Sequence, residues 1–145
     1  MQLPESLHPF NQPTFIVVTD SVQAKLFKAL DRDVELVHVI STKLEPMEQE
    51  RSQVITGSGG ARSADAHENN QKWTREQLYE QLSKDLMHRH QNGEFEALAF
   101  TVPQEHVNEL KESLHVDLLK IADAWVEKNL TNDELEDIVL HVQEA

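Results

Sequence analysis

Two short apolar runs constrain the fold most strongly, because neither shows the alternation of a strand with one solvent-exposed face. Residues 14–19 read TFIVVT and residues 97–102 read ALAFTV. A strand that is apolar on both sides is typical of a sheet that helices cover on both faces. These runs therefore predict an α/β domain with three layers.

The region after the first run is ambiguous by periodicity, since residues 23–30 fit either a helix or a strand. Their shortness and the following Asp31-Arg32-Asp33 turn favour an antiparallel hairpin with residues 34–40. Strict alternation in that second strand places Val34, Leu36, His38 and Ile40 on one side.

The second half of the chain has a helical period. Leucines four apart predict a helix over residues 68–91 with Asn92-Gly93 as its stop, and Pro103 begins another helix. A strand is predicted over residues 121–127, and Thr131 with Glu134 forms a capping box for a last helix. The order predicts a single three-layer domain over residues 14–145, with a mixed five-stranded sheet and helices on both faces, after a surface lead-in over residues 1–13.

Composition narrows the possible functions. The 145 residues contain no cysteine and carry a net charge of −13, which excludes disulfides and thiolate zinc sites and disfavours binding of free DNA. The sequence shows neither a membrane span nor a secretory leader, so a cytoplasmic protein is expected. No cofactor and no metal are predicted, because the histidines are scattered and Asp20 lacks converging carboxylates.

Residues 41–67 interrupt the regular pattern with a long loop that contains three closely spaced glycines, in the order TGSGGAR. This loop carries a charge of −1, which leaves −12 for the rest of the chain. A loop of this length in a compact domain is usually functional or disordered. The near-neutral loop is therefore the predicted partner-binding element.

Four stretches carry a family resemblance, namely IVVTDSVQAKLF at 16–27, GSGGARSADAHENNQKWTREQ at 57–77, VPQEHVNELKESL at 102–114 and KNLTNDEL at 128–135. With them the sequence resembles a bacterial family labelled host attachment protein, which is similar to the middle domain of archaeal and eukaryotic release factors and of Pelota. The resemblance implies a ribonuclease-H-like sheet and supports a strand for residues 23–30.

In release factors, a Gly-Gly-Gln tip before the long helix enters the peptidyl-transferase centre, and Gly59-Gly60 stands at that place here, followed by Ala61. A methyl group supplies neither the donor nor the acceptor of a Gln amide, so hydrolysis by that route is not expected. The resemblance implies that this loop has the geometry of the release-factor loop. It also implies that the protein associates with the ribosome or a ribosome-bound factor. The predicted partner-binding residues are Gly57, Ser58, Gly59, Gly60, Ala61, Arg62 and Trp73.

Tryptophans and single polar residues have plainer interpretations. Trp73 and Trp125 are predicted as core anchors, although Trp73 beside Lys72 and Arg75 could instead dock a base or a partner. Asp20 is interpreted as a turn residue. The sequence thus predicts a non-enzymatic binding protein of translation, and the family label provides the alternative of an attachment role, acting indirectly or at the cell surface.

Overall fold

The computed structural model describes the backbone of residues 1–42 and 63–145. The strands are β1 (Phe10–Thr19), β2 (Gln23–Asp31), β3 (Asp33–Ser41), β4 (Ala97–Thr101) and β5 (Ala122–Val126). The helices are α1 (Ser63–Gln91), α2 (Val107–Ser113), α3 (Val116–Ile121) and α4 (Leu135–Glu144), with a 3-10 turn at Gln104–His106.

The five strands form one mixed sheet in the order β3-β2-β1-β4-β5. β1 and β2, and β2 and β3, pair antiparallel, whereas β4 pairs parallel with both β1 and β5. The meander therefore fills one half of the sheet and the crossover helices fill the other, which is the ribonuclease-H-like arrangement expected from the resemblance.

Helices cover both faces, as the two apolar runs predicted. On one face Phe15 and Val17 pack with Leu78, Leu82 and Leu86 of α1 and with residues of α2 and α3. On the other face Ile16 and Val18 pack with Ile138, Val139 and Val142 of α4. The neighbouring residues of β1 thus belong alternately to two separate cores, and the three-layer prediction is confirmed.

The N-terminal segment differs from the predicted surface lead-in. Leu3 and Leu7 are buried in the core beneath α4, and β1 begins at Phe10, before the predicted Thr14. The Arg32 guanidinium donates to the carbonyls of Pro4 and Leu7, each at 3.0 Å. Two leucines in a mostly polar stretch carry no periodic signal, and for this reason the sequence alone did not reveal the packing.

The long helix begins at Ser63, so the predicted loop of residues 41–67 is too long at its C-terminal end and the predicted helix start at Glu68 is too late. The apolar period that marked the predicted start reports where the helix packs, and a helix continues beyond that point when no glycine or proline interrupts it. The predicted stop is confirmed, since Gly93 follows α1 with a φ of 76° that favours glycine.

The capping box at Thr131 is a wrong prediction. Helix α4 begins at Leu135, its N-cap residue Glu134 makes no side-chain capping bond, and the Thr131 hydroxyl donates to the Asn129 carboxamide at 2.7 Å. Thr131 is buried, so its hydroxyl bonds within the preceding turn and is unavailable to the helix. Short polar residues satisfy turns and helix starts equally well, and only the fold chooses between them.

Strand β3 contradicts the predicted alternation of Val34, Leu36, His38 and Ile40. Leu36 lies opposite Phe27 and His38 lies opposite Leu26, so the extra residue Val37 forms a bulge between them. The bulge shifts the alternation by one residue. As a result Val34 and Leu36 lie on the α4 side of the sheet, whereas His38 and Ile40 lie on the α1 side.

Candidate functional site

The region around the glycine-containing segment is the candidate site. Its predicted residues Gly57, Ser58, Gly59, Gly60, Ala61 and Arg62 lie outside the described part of the chain. Trp73 is the one predicted site residue that the structure describes. Thr42, the last described residue before this segment, lies against α1 at Thr74.

The turn after β1 forms one side of the candidate site. The Asp20 carboxylate accepts hydrogen bonds from the backbone amides of Val22 at 2.8 Å and Gln23 at 2.9 Å. This bonding fixes the turn into β2 and confirms the interpretation of Asp20 as a turn residue. Among the residues at 1–42 and 71–145, no group of three or more His, Asp or Glu side chains is arranged to hold a metal ion.

Hydrogen bonds join this turn to the last residue before the undescribed segment. The Thr42 amide donates to the Val22 carbonyl at 3.0 Å, and the Thr42 hydroxyl donates to the Thr74 carbonyl at 3.3 Å. The end of β3, the β1–β2 turn and the turn of α1 at Thr74 are therefore held together.

Trp73 lies on α1 beside this junction and is 49% exposed. The core-anchor prediction for Trp73 is therefore wrong, and the alternative prediction of a docking residue is compatible with its position. Trp73 is exposed because of its position around the helix axis. The neighbouring Thr74 is buried, while Gln71, Lys72 and Trp73 all face solvent. Its large apolar surface is available to a partner.

Trp125, by contrast, packs at the border of the core. Its ring stacks on Phe100 at a centroid distance of 4.5 Å, and the Lys111 ammonium lies 4.8 Å from the ring centroid. The core-anchor prediction is confirmed for this residue. The two tryptophans, which the sequence treated alike, thus have different environments.

A partly buried polar cluster supports α1 just after Trp73. The Arg75 guanidinium donates to the Glu109 carboxylate of α2 at 2.9 Å, with side chains 15% and 24% exposed. Within the described residues, the second Glu109 oxygen and the Tyr79 hydroxyl are buried without a hydrogen-bond partner. This ion pair joins the long helix to α2.

Tyr79 does not have the chemistry of a base. Burial raises the pKa of its phenol far above the ordinary value, and the charges of Glu109 and Asp20 add to the effect, although Arg75 and the Thr19 hydroxyl oppose it. The Thr19 hydroxyl itself donates to the Thr101 carbonyl at 3.1 Å. The phenol is therefore neutral throughout the physiological range.

A serine and a histidine also meet here, at a distance of 3.3 Å between Ser21 Oγ and His106 Nε2. The Glu105 carboxylate lies 4.0 Å from the same Nε2 atom. A Ser-His-acid triad requires the carboxylate to orient the opposite ring nitrogen, so this arrangement differs from that of a hydrolase. The sequence did not predict this contact, since the two residues are far apart in the chain and only the sheet brings them together.

None of the described helices is both long and apolar enough to cross a membrane. The architecture is a ribonuclease-H-like α/β domain in which a glycine-containing segment connects the last meander strand to a long helix.

The sequence model of bacterial archaeo-eukaryotic release factor family 12 matches residues 13–142, so the chain belongs to this family. The release-factor part of the predicted resemblance is thereby confirmed, while the attachment label stays a prediction. No curated protein matches the chain.

Proposed function

We propose that this protein is a non-catalytic binding protein of translation, which contacts the ribosome or a ribosome-bound factor through residues 57–62 and Trp73. Membership of the release factor family supports the link to translation. The observation that carries the site is the half-exposed Trp73 at the base of the glycine-containing segment. A cytoplasmic location is part of the proposal.

The proposed absence of catalysis rests on the residue at position 61. Where a release factor carries the Gln of its Gly-Gly-Gln tip, this chain carries Ala61 after Gly59 and Gly60. Without an amide to position water against the ester, the protein is expected to bind without releasing peptide. Multiple-turnover peptide release by the purified wild-type protein in a ribosome assay would contradict this part of the proposal.

The binding part is tested by co-sedimentation of the tagged protein with ribosomal particles. Truncation of a central aromatic contact commonly costs ~2 kcal/mol or more, so Trp73→Ala should weaken recovery by at least about tenfold. The matched control is Val116→Ala, because Val116 is exposed at 56% on α3 and is not part of the proposed surface.

Both variants should melt at the wild-type temperature, which separates a binding defect from unfolding. Equal recovery of the Trp73→Ala and Val116→Ala proteins with ribosomal particles would refute the role of Trp73. Recovery of the wild-type protein in the envelope fraction, with none on ribosomal particles, would refute the translation proposal and support the attachment label instead.

The glycine-containing segment requires its own variants. Replacement of both Gly59 and Gly60 by Val should reduce co-sedimentation if the partner approaches the backbone closely. Arg62→Ala should act in the same direction, with an effect that shrinks as salt rises, if Arg62 meets a phosphate or carboxylate. Wild-type recovery by both variants would show that this segment is not the binding element.

A further inference from the structure

The edge strand β3 presents apolar side chains to solvent. Leu36 is 51% exposed, and Val37 and Val39 are each 41% exposed. Leu36 and Val39 lie on the same face of the sheet. Leu36 is opposite Phe27, which belongs to the α4-side core. Val39 is opposite Lys25, whose ammonium donates to the Thr131 carbonyl. An apolar sheet edge of this kind is a template for another strand.

The backbone groups on this edge have an unusual spacing. The Val34 amide donates to the Met1 carbonyl at 2.9 Å, so the backbone groups of Val34 point away from β2. The backbone groups of Leu36, two residues later, point the same way. At the other end, the Thr42 amide donates to the Val22 carbonyl and therefore points toward β2. Because the direction alternates along a strand, the backbone groups of Ser41 and Val39 point away from β2. The bulge at Val37 thus separates the outward groups of Leu36 and Val39 by three residues, where a regular strand has two.

This spacing selects the partner strand. A regular strand presents bonding groups at every second residue and cannot match both Leu36 and Val39. A second copy of β3, antiparallel about a two-fold axis between Val37 and His38, has the same irregularity at the same place. Leu36 then meets the partner's Val39, and Val39 meets the partner's Leu36, with matching backbone groups in both pairs.

We propose that two copies of this protein pair through β3 in this register and join their two sheets into one. The exposed Leu36 and Val39 side chains would cover each other across the α4-side face, and Val37 would lie against the partner's His38 on the α1-side face. The next outward pair in this register is Val34 with the partner's Ser41, a place that Met1 occupies through its bonds to the Val34 amide and carbonyl, so the proposal requires Met1 to leave Val34 in both copies.

The short ladder and the charge determine how the dimer behaves. Each copy carries a net charge of −13, so the two copies repel at low ionic strength. Self-association is expected to be reversible and to increase as salt rises. This inference is independent of the proposed role in translation, because it uses a different surface and is tested without ribosomes.

Sedimentation velocity over a concentration series provides the first test. Wild-type protein should shift from monomer to dimer with concentration, and more so at high salt, whereas Leu36→Lys and Val39→Lys should stay monomeric. Leu140→Lys is the matched control, since Leu140 is exposed at 40% on α4, and it should dimerise like wild type. A monomeric wild type at every concentration and salt level would overturn the proposal, as would dimerisation by both β3 variants.

Cross-linking tests the register, because the chain contains no cysteine of its own. Cα atoms in a directly opposed, hydrogen-bonded antiparallel pair lie about 5.5 Å apart, within the range that a disulfide spans. Mild oxidation of a mixture of Leu36→Cys and Val39→Cys proteins should therefore give cross-linked dimers several-fold more efficiently than either variant alone. Preferential cross-linking within the Leu36→Cys protein alone, or equal yields in all three samples, would overturn the two-fold register.

Discussion

The two parts of helix α1 differ in what holds them. From Thr74 onward the helix packs into the core, and Leu78, Leu82 and Leu86 are fully buried. Just before Thr74, the side chains of Gln71, Lys72 and Trp73 face solvent. One helix therefore contributes core residues from Thr74 onward and exposed side chains at residues 71–73, so a change in the first part should affect stability and a change in the second should affect binding.

The largest effect is expected for Leu82→Ala in the packed part. Leu82 is fully buried between the sheet and the helices, and loss of its side chain leaves a cavity that should cost about 2–5 kcal/mol of the free energy of unfolding. Chemical denaturation measures this change. Leu140→Ala on the exposed side of α4 is the control, and equal stability of the two variants would mean that α1 does not form the core.

A smaller loss is expected where the two parts meet. Glu109→Ala removes the ion-pair partner of Arg75, whose side chain is only 15% exposed, and should cost about 1–3 kcal/mol because the guanidinium stays largely desolvated. The exposed Glu112 lies on the same helix, so Glu112→Ala is the control. If both variants unfold at the same denaturant concentration, the Arg75–Glu109 pair does not anchor α1.

Tyr79 provides a pH-dependent prediction at the same level of α1. Its pKa is raised by burial, so the folded protein keeps the phenol proton at a pH where the unfolded chain loses it. The stability contribution is fully present below about pH 10, the ordinary tyrosine pKa, and is lost as pH rises from there at up to ~1.4 kcal/mol per pH unit.

The phenol can be followed without interference, because Tyr79 is the single tyrosine of the chain. Ultraviolet absorbance should show no phenolate in the folded protein at pH 10 to 11, followed by ionisation together with unfolding. Tyr79→Phe should remove this component of the alkaline loss of stability. An ordinary reversible tyrosine titration in the folded state would show that the hydroxyl reaches water.

The smallest effect on stability is expected for Trp73→Ala, at under about 0.5 kcal/mol, because the side chain is half exposed and lies outside both cores. Thermal melting beside Trp125→Ala gives a direct contrast between the two tryptophans, since Trp125 stacks on Phe100 and its loss should be clearly destabilising. Equal melting temperatures of the two variants would remove the distinction between core and surface tryptophan.

Much of this architecture was predictable from local pattern. The apolar runs at 14–19 and 97–102 required cover on both faces, and the leucines of α1 identified the packed side of that helix. These predictions succeeded because burial on both faces, or on one helical stripe, leaves a periodic trace in the sequence. The family resemblance added the identity of the sheet and resolved residues 23–30 as the strand β2.

Other features had no local trace. The bulge at Val37 moves Leu36 and His38 to opposite faces, although the letters of β3 alternate regularly enough to suggest one face. The start of α1 before Glu68 lacks an apolar period, so the sequence pattern did not reveal it. Thr131 and Glu134 have the spacing of a capping box, but burial of Thr131 directs its hydroxyl to Asn129.

The sequence by itself determined the class of fold and the apolar runs and helical stripes that form most of both cores, because hydrophobic burial imposes its period on the chain. Only the tertiary structure decided which tryptophan is covered, where Arg75 finds Glu109 and how Ser21 meets His106. Those contacts join residues distant in the chain, and their distances depend on how the sheet and the helices pack, which no local pattern encodes.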